Sequence, residues 1–487
     1  MFNDIINRYK LLPVQVRASV WYLFCYFMQK GTQVITTPVF TRLLTPTEYG
    51  GYQVFSSWYG VISVIVTLNI FYGVFTQGLI KFKEERNIFS SSLQGLTLTM
   101  VLFWLGVYVL NRTFWNGLIS LTTFQMFCMF VMLWSTAVFF FWAAERRVDY
   151  DYKKLVVLTI AVSVLKPAVS ILLITISDDK VTAWILGMTI AEVLGYSWLF
   201  VAKMVESPTF FNSRFWKYAL CLNIPLLPHY LSQMVLNNSD RIMINQMVDA
   251  RSAGIYGLAY SISLIMTIFN TALLQTIGPW LYQKMRDSRI EEISAVSYFC
   301  LVIIAIVNLV LIALAPEFVA IFAPPSYSEA IYIIPPVSMS VIFIFSYDLF
   351  STVEFYQEKT YLLLIASVMA AAINIALNFV FIKKFGYLAA GYTTLVCYII
   401  YASCHYIFAR RLFNRFYGGV QPYQIKPLAY IYVFFMFLGF VFLLLYKHPI
   451  LRYGFFLVIV SIIVYERAFM ITKIKTLIAI KRNKSLC

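Results

Sequence analysis

The 487-residue chain is 61% hydrophobic, only 12% charged, and carries a net charge of +16. A soluble protein of this size has charge on roughly a quarter of its residues, so a soluble fold is excluded and the lipid bilayer is the solvent for most of the chain. There is no Gly-x-x-x-x-Gly-Lys-[Ser/Thr] loop or Gly-x-Ser-x-Gly elbow, and the three histidines and seven cysteines show no metal-ligand or C-x-x-C spacing, which disfavours nucleotide hydrolysis, acyl-transfer catalysis, a metal site and a disulfide framework.

Residues 1–17 read as a short interfacial helix, with Ile5, Ile6, Tyr9 and Leu12 on one side and Arg8 and Lys10 among lipid headgroups. The first apolar run begins only after them and lacks a small-x-small cleavage site, so no removable signal peptide is expected. Windows of about 20 apolar residues, the length that crosses a hydrocarbon core of about 30 Å, then predict fourteen spans. They lie near 18–43, 50–75, 91–110, 118–143, 155–177, 181–202, 219–248, 253–283, 293–315, 330–353, 360–382, 387–409, 427–446 and 453–471. With the N-terminus in the cytoplasm, inside segments hold 27 Lys and Arg and outside segments hold 8. That bias places both termini in the cytoplasm. It also explains the basic charge as topology, with no nucleic-acid partner. The longest outside segment, near Pro316–Glu329, is too short for an extracytoplasmic domain.

Between spans 1 and 2 stands Leu44-Thr45-Pro46-Thr47-Glu48-Tyr49-Gly50-Gly51-Tyr52, which reads as an outward hairpin. It is echoed by Ser252-Ala253-Gly254-Ile255-Tyr256-Gly257 at an offset of 204, and Gly187-Met188-Thr189 recurs as Gly391-Tyr392-Thr393 at the same offset. Each half holds an even number of spans, so the halves are parallel repeats related by an axis along the membrane normal. The expected organisation is all-α and polytopic, with about 14 transmembrane helices. An N-terminal lobe covers 1–205 (spans 1–6) and a C-terminal lobe 206–415 (spans 7–12); residues 416–487 add spans 13–14 and a basic cytoplasmic tail. Breaker residues mark the joins at Glu206-Ser207-Pro208-Thr209 and Tyr417-Gly418-Gly419-Val420-Gln421-Pro422.

Charges inside spans carry the functional information, because each is costly unless it faces protein or water. Lys30 is central in span 1, Lys166 is central in span 5 directly before Pro167, and Glu192 is central in span 6. Asp240-Arg241 lie in span 7 and Asp348 lies toward the inner end of span 10. Lys30 is placed to attract an anionic headgroup, against the ordinary explanation of snorkelling along its stem. Lys166-Pro167 joins a charge to a backbone break of the kind that lines transporter cavities. Glu192 is a carrier of an ion or proton, or the counter-ion of Lys166. Asp240 and Arg241 point about 100° apart and cannot share one wall. Asp348 is close enough to the interface for ordinary solvation. Asn223-Ile224-Pro225 and Pro228-His229 break span 7 twice, and His229 titrates near neutrality or serves as a structural donor.

These landmarks resemble the polysaccharide transporters, the O-antigen and capsule flippases of the multidrug/oligosaccharidyl-lipid/polysaccharide (MOP) exporter superfamily. The resemblance is carried by Leu44–Tyr52, by Asp240-Arg241 followed by Ala253-Gly254-Ile255-Tyr256-Gly257-Leu258-Ala259-Tyr260, and by Asn374-x-x-x-Asn378 followed by Phe385-Gly386-Tyr387-Leu388-Ala389-Ala390-Gly391. It extends over nearly the whole chain and implies a non-enzymatic flippase. The substrate would be an undecaprenyl-diphosphate-linked oligosaccharide moved from the cytoplasmic to the periplasmic leaflet, by alternating access coupled to H+ or Na+. The polymerase and chain-length machinery of the pathway would be its partners, with no cofactor. Under that resemblance Lys30, Lys166 and Arg241 would serve the diphosphate, and Trp21, Trp58 and Tyr256 would stack on sugars. The ion-coupling candidates are Glu192, Asp240, Asp348 and His229. Three cations against three acids is not a plainly cationic set, and helix N-termini at proline breaks would assist. A multidrug cation antiporter and a peptidoglycan-precursor flippase of the same superfamily stay open as alternatives. A membrane polymerase or ligase needs a large outward catalytic loop, which is missing.

Overall fold

A computed structural model describes residues 13–465, and every regular element among them is helical. The α-helices are α1 (Val14–Leu43), α2 (Pro46–Thr67), α3 (Val74–Lys81), α4 (Arg86–Leu110), α5 (Arg112–Ile119), α6 (Thr123–Val148), α7 (Tyr152–Ile176), α8 (Lys180–Glu206), α9 (Ser213–Asn223) and α10 (Leu227–Met247). They continue with α11 (Ala250–Ser263), α12 (Ile265–Arg286), α13 (Glu291–Ala313), α14 (Ala315–Phe322), α15 (Ile334–Tyr356), α16 (Thr360–Phe385), α17 (Ala389–Phe416), α18 (Ile425–Leu444) and α19 (Pro449–Tyr465). Most of the interfacial helix expected over 1–17, and the basic tail beyond 465, lie outside the described residues.

Among the described residues, eleven helical segments are long and apolar enough to cross a membrane. The chain is a multi-pass membrane protein, and the expected count of fourteen is not reached. The three expected spans that fall short are α1, α2 and α19. For α19, only the part of the expected span up to Tyr465 lies among the described residues. For α1 and α2 the reason is composition: Gln29, Lys30, Thr32, Gln33, Thr36 and Thr37 on α1, and Gln53, Ser56 and Ser57 on α2, lower the apolar content.

The stretch expected as an outward hairpin is instead a helix start. Only Leu44 and Thr45 separate α1 from α2. Thr45 Oγ1 accepts from the Glu48 backbone N–H at 3.3 Å, and the Glu48 carboxylate accepts from the Thr45 N–H at 2.7 Å. With Pro46 at the first helical position, this is a capping box that satisfies N–H groups left over at the helix end. Span 7 is interrupted once, not twice. A three-residue 3-10 segment, Ile224–Leu226, separates α9 from α10, while Pro228 sits in the first turn of α10, where no N–H is needed. Likewise α7 runs unbroken through Pro167. The outside segment near Pro316–Glu329 is largely helical, in α14 and a 3-10 stretch over Pro325–Tyr332.

The described residues fall into two compact units. The first holds 13–257, 322–326 and 367–387; the second holds 258–321, 327–366 and 388–465. In the first unit an aromatic core joins α2, α4 and α6 through Phe55, Tyr108 and Phe130, and a second cluster gathers Phe75, Phe89, Phe141 and Phe215. The echoed motifs meet there. A Cβ on Gly50 would lie 1.8 Å from the Ala250 carbonyl oxygen, and one on Gly254 would lie 2.1 Å from the Pro46 carbonyl oxygen. Gly50 and Gly254, like Pro46 and Ala250, are 204 residues apart. The contact is thus reciprocal about a local two-fold relation, with backbone against backbone at a distance only glycine permits. In the second unit α15 is the most enclosed of the spans and packs against α12, α13, α17 and α18. Its serines turn back on their own helix, as in Ser340 to Val337 O at 2.6 Å and Ser346 to Ile342 O at 2.7 Å, so the buried hydroxyls are satisfied.

Candidate functional site

The antiparallel seam of α7 and α8 builds the centre of the first unit. At its closest point a Cβ on Gly187 would lie 2.5 Å from Ser170 Cα, so the two backbones touch. One turn further toward the N-terminal end of α7, the same register brings Lys166 opposite Glu192. Lys166 Nζ donates to Glu192 Oε1 at 2.5 Å. The second carboxylate oxygen accepts from Thr136 Oγ1 at 2.7 Å and from Ser135 Oγ at 3.3 Å, both on α6, and Tyr59 OH on α2 donates to Thr136 Oγ1 at 3.0 Å. Glu192 is 3% exposed, whereas a quarter of the Lys166 side chain is open. Both oxygens of the buried carboxylate are thus hydrogen-bonded.

Lys166 opens onto a cavity of 390 Å³ between α1, α2, α6, α7 and α8, inside the range of about 300–1,000 Å³ typical of small-molecule sites. Gln29, Lys30, Thr32, Gln33, Thr36 and Thr37 line one wall. Their spacing of three and four residues is that of one helix face, so α1 presents a ladder of amides and hydroxyls topped by an ammonium. Opposite stand Tyr49, Tyr52, Trp184 and Tyr196. Trp184 is sandwiched, with Tyr52 stacked at 3.5 Å and Phe40 at 4.0 Å, and Phe139 stacks on Tyr196 at 4.5 Å. These ring faces are used against one another, and on the ladder Thr32, Thr36 and Thr37 donate to carbonyls of their own helix, leaving their hydroxyl oxygens as acceptors. Pro167 also lines the space, and it has no N–H to offer the carbonyl of Ser163, one turn earlier on the same wall.

The other expected residues are distributed differently. Arg241 is buried on α10 and donates to the Asn237 carbonyl and to Asn238 Oδ1; it does not line this cavity. Asp240, 1% exposed, accepts from Tyr256 OH and from Asn378 Nδ2, each at 2.6 Å, and Asn374 Oδ1 accepts from Ser239 Oγ at 2.7 Å. His229 Nδ1 lies 2.9 Å from Ser367 Oγ. Asp348 is half-buried on α15 of the second unit. Of the aromatic residues expected to stack on sugars, Trp21 stacks on Tyr152, Trp58 packs on the α2–α4–α6 core, and Tyr256 serves Asp240; none lines the cavity. The α1 ladder was missed, although Gln29-x-x-Thr32-Gln33-x-x-Thr36-Thr37 at helical spacing within a span was readable. Helix N-termini at proline breaks supply nothing here, because α7 is continuous.

Comparison with known proteins agrees with this architecture. A curated relative, an uncharacterised membrane protein of Haemophilus influenzae, is 22% identical over 298 residues, which is 59% of this chain and 71% of that protein. The solved structure of the lipid II flippase MurJ in an inward closed conformation superposes with a TM-score of 0.63 at 13% identity, covering 93% of this chain and 100% of that one. An inward-facing multidrug resistance MATE family transporter of the MOP superfamily gives a TM-score of 0.62 at 11% identity, covering 83% and 100%. At such identities the likeness is one of fold, and the fold is that of MOP exporters. The family described as "Polysaccharide biosynthesis protein" matches residues 16–285. That match takes in more than half of the chain and every helix around the cavity, so the chain belongs to the polysaccharide biosynthesis protein family.

Proposed function

We propose that this protein is a flippase that carries a lipid-linked, diphosphate-bearing oligosaccharide from the cytoplasmic to the periplasmic leaflet of the inner membrane, for surface polysaccharide synthesis. The observation that carries the reading is the cavity of the first unit, a polar, lysine-bearing space walled by α1, α2 and the long apolar helices α6, α7 and α8. A sugar diphosphate is too polar for hydrocarbon, and it needs amide and hydroxyl partners for its sugars and cations for its phosphates. The α1 ladder offers the former, Lys30 and Lys166 the latter, while the lipid tail stays in the bilayer. The lining favours this over a cation antiporter, since it includes Lys30 and Lys166 and no acid, and Glu192, buried behind the cavity, is already engaged by Lys166. Coupling to H+ or Na+ would act through buried acids, Glu192 and Asp240 foremost. Both termini would be cytoplasmic, with the polymerase and chain-length machinery as partners.

Export of surface glycan in a complemented deletion strain tests the site. Lys30→Ala and Lys166→Ala are each expected to lower export, normalised to the amount of membrane-inserted protein, about tenfold or more, the equivalent of one lost charged contact of about 1.5–3 kcal/mol. Unimpaired export in both variants removes the cavity lysines from the mechanism.

A further inference from the structure

The second unit contains an ionisable pair that the cavity does not use. His405 Nδ1 on α17 lies 2.8 Å from Glu354 Oε1 on α15, and both side chains are 0% exposed. Among the described residues, neither Glu354 Oε2 nor His405 Nε2 has a hydrogen-bond partner. The pair is 51 residues apart in sequence and is brought together by the packing of α15 on α17. Other ionisable groups on the elements around α15 are occupied. Tyr432 of α18 donates to Ser346, Tyr298 of α13 accepts from the Gln424 N–H, Tyr282 of α12 stacks on Tyr356, and Lys284 of α12 is held by Glu292. On α17, Tyr401 stands edge-on to His405 at 4.8 Å. Tyr347 lies 5.8 Å from His405 and 4.6 Å from Tyr401. Both Tyr347 and its neighbour Asp348 are half-buried, whereas the dyad is sealed. Asp348 stands six residues from Glu354, about 9 Å along the helix.

We infer that Glu354 and His405 form a proton-binding site in the second unit, which exchanges with water by way of Tyr347 and Asp348. One proton makes the pair electrically neutral overall, either as carboxylic acid with imidazole or as carboxylate with imidazolium. A second proton, taken from water, leaves a net positive charge, and loss of the only proton leaves a net negative one. In an enclosed apolar setting both charged forms are disfavoured. They become accessible when the unit hydrates, so proton number and hydration of the unit are linked. A merely structural staple between α15 and α17 would keep one protonation state over the range tested below. The use of this proton in coupling rests on the transport reading above; its binding does not.

The test is labelling of the purified full-length protein by dicyclohexylcarbodiimide, which adds to protonated carboxyls in apolar surroundings, with the Glu354 peptide quantified by mass spectrometry. Between about pH 5 and about pH 8, the Glu354 adduct is expected to fall by about tenfold or more, as for a carboxyl losing its proton. In His405→Gln, which removes the basic partner, the adduct is expected to persist to higher pH, and in Glu354→Gln it is expected to vanish. An absent or pH-independent Glu354 adduct in the wild type overturns the proposal, and so does an unchanged profile in a folded His405→Gln. Should that variant fail to fold, the wild-type profile alone decides. No glycolipid enters the measurement, so its failure leaves the transport reading standing, and a failed transport reading leaves it intact.

Discussion

Glu192→Ala is expected to abolish glycan export and to lower the stability of the purified protein by about 3 kcal/mol, the lower end of the cost of breaking a buried ion pair. The low end applies because Lys166 reaches the cavity with a quarter of its side chain and water there relieves part of the unpaired charge. Thr136 and Ser135 lose their acceptor at the same time. The informative companion is Lys166→Met with Glu192→Met. Replacing a buried pair by apolar groups of similar volume is often neutral in stability, so the double variant should melt near the wild type and still fail to export. If the double variant exports, the pair is a structural brace and the cavity chemistry lies elsewhere. Thermal melting in detergent and surface-glycan yield, taken on the same variants, separate the two outcomes.

The reciprocal glycine contact leads to the second large effect. A Cβ at Gly50 would sit 1.8 Å from the Ala250 carbonyl oxygen, and one at Gly254 would sit 2.1 Å from the Pro46 carbonyl oxygen. In both cases the obstacle is backbone, which cannot swing aside as a side-chain end can. Gly50→Ala and Gly254→Ala must therefore push α2 away from α11, and each is expected to cost at least about 3 kcal/mol, the upper range for overpacking. Neighbouring Gly51 is the control: its Cβ would meet only Val181 methyl groups at 3.4 Å, so Gly51→Ala should accumulate and export normally. Equal loss in all three variants, read as membrane-inserted protein, would show that the motif is sensitive for reasons other than this contact.

The membrane fold was legible because it follows from bulk properties: long apolar runs and a charged fraction of only 12%. The offset of 204 was also legible, and the Gly50–Gly254 contact gives it a physical meaning. Harder to see was where the polar work is done. Thr45-Pro46-Thr47-Glu48 carried both a turn signal and a capping-box signal, and the box prevails because the helix start leaves N–H groups to satisfy. Lys166-Pro167 looked like a break, yet α7 continues, because loss of one intrahelical bond is tolerated where neighbouring helices hold the backbone. The stacking residues were chosen wrongly from a chain that is 18% aromatic, where ring type alone does not separate packing from recognition. The Glu354–His405 dyad has no local signature at all, since only the docking of two helices makes it.

The most direct test of the transport account is the leaflet in which lipid-linked glycan resides when this gene is deleted in its own host. Lipid-linked repeat units are expected to accumulate facing the cytoplasm, protected from a membrane-impermeant glycan-modifying enzyme added to right-side-out spheroplasts, and surface polysaccharide is expected to disappear. Normal surface polysaccharide in that strain, with no second flippase of overlapping function, would contradict it.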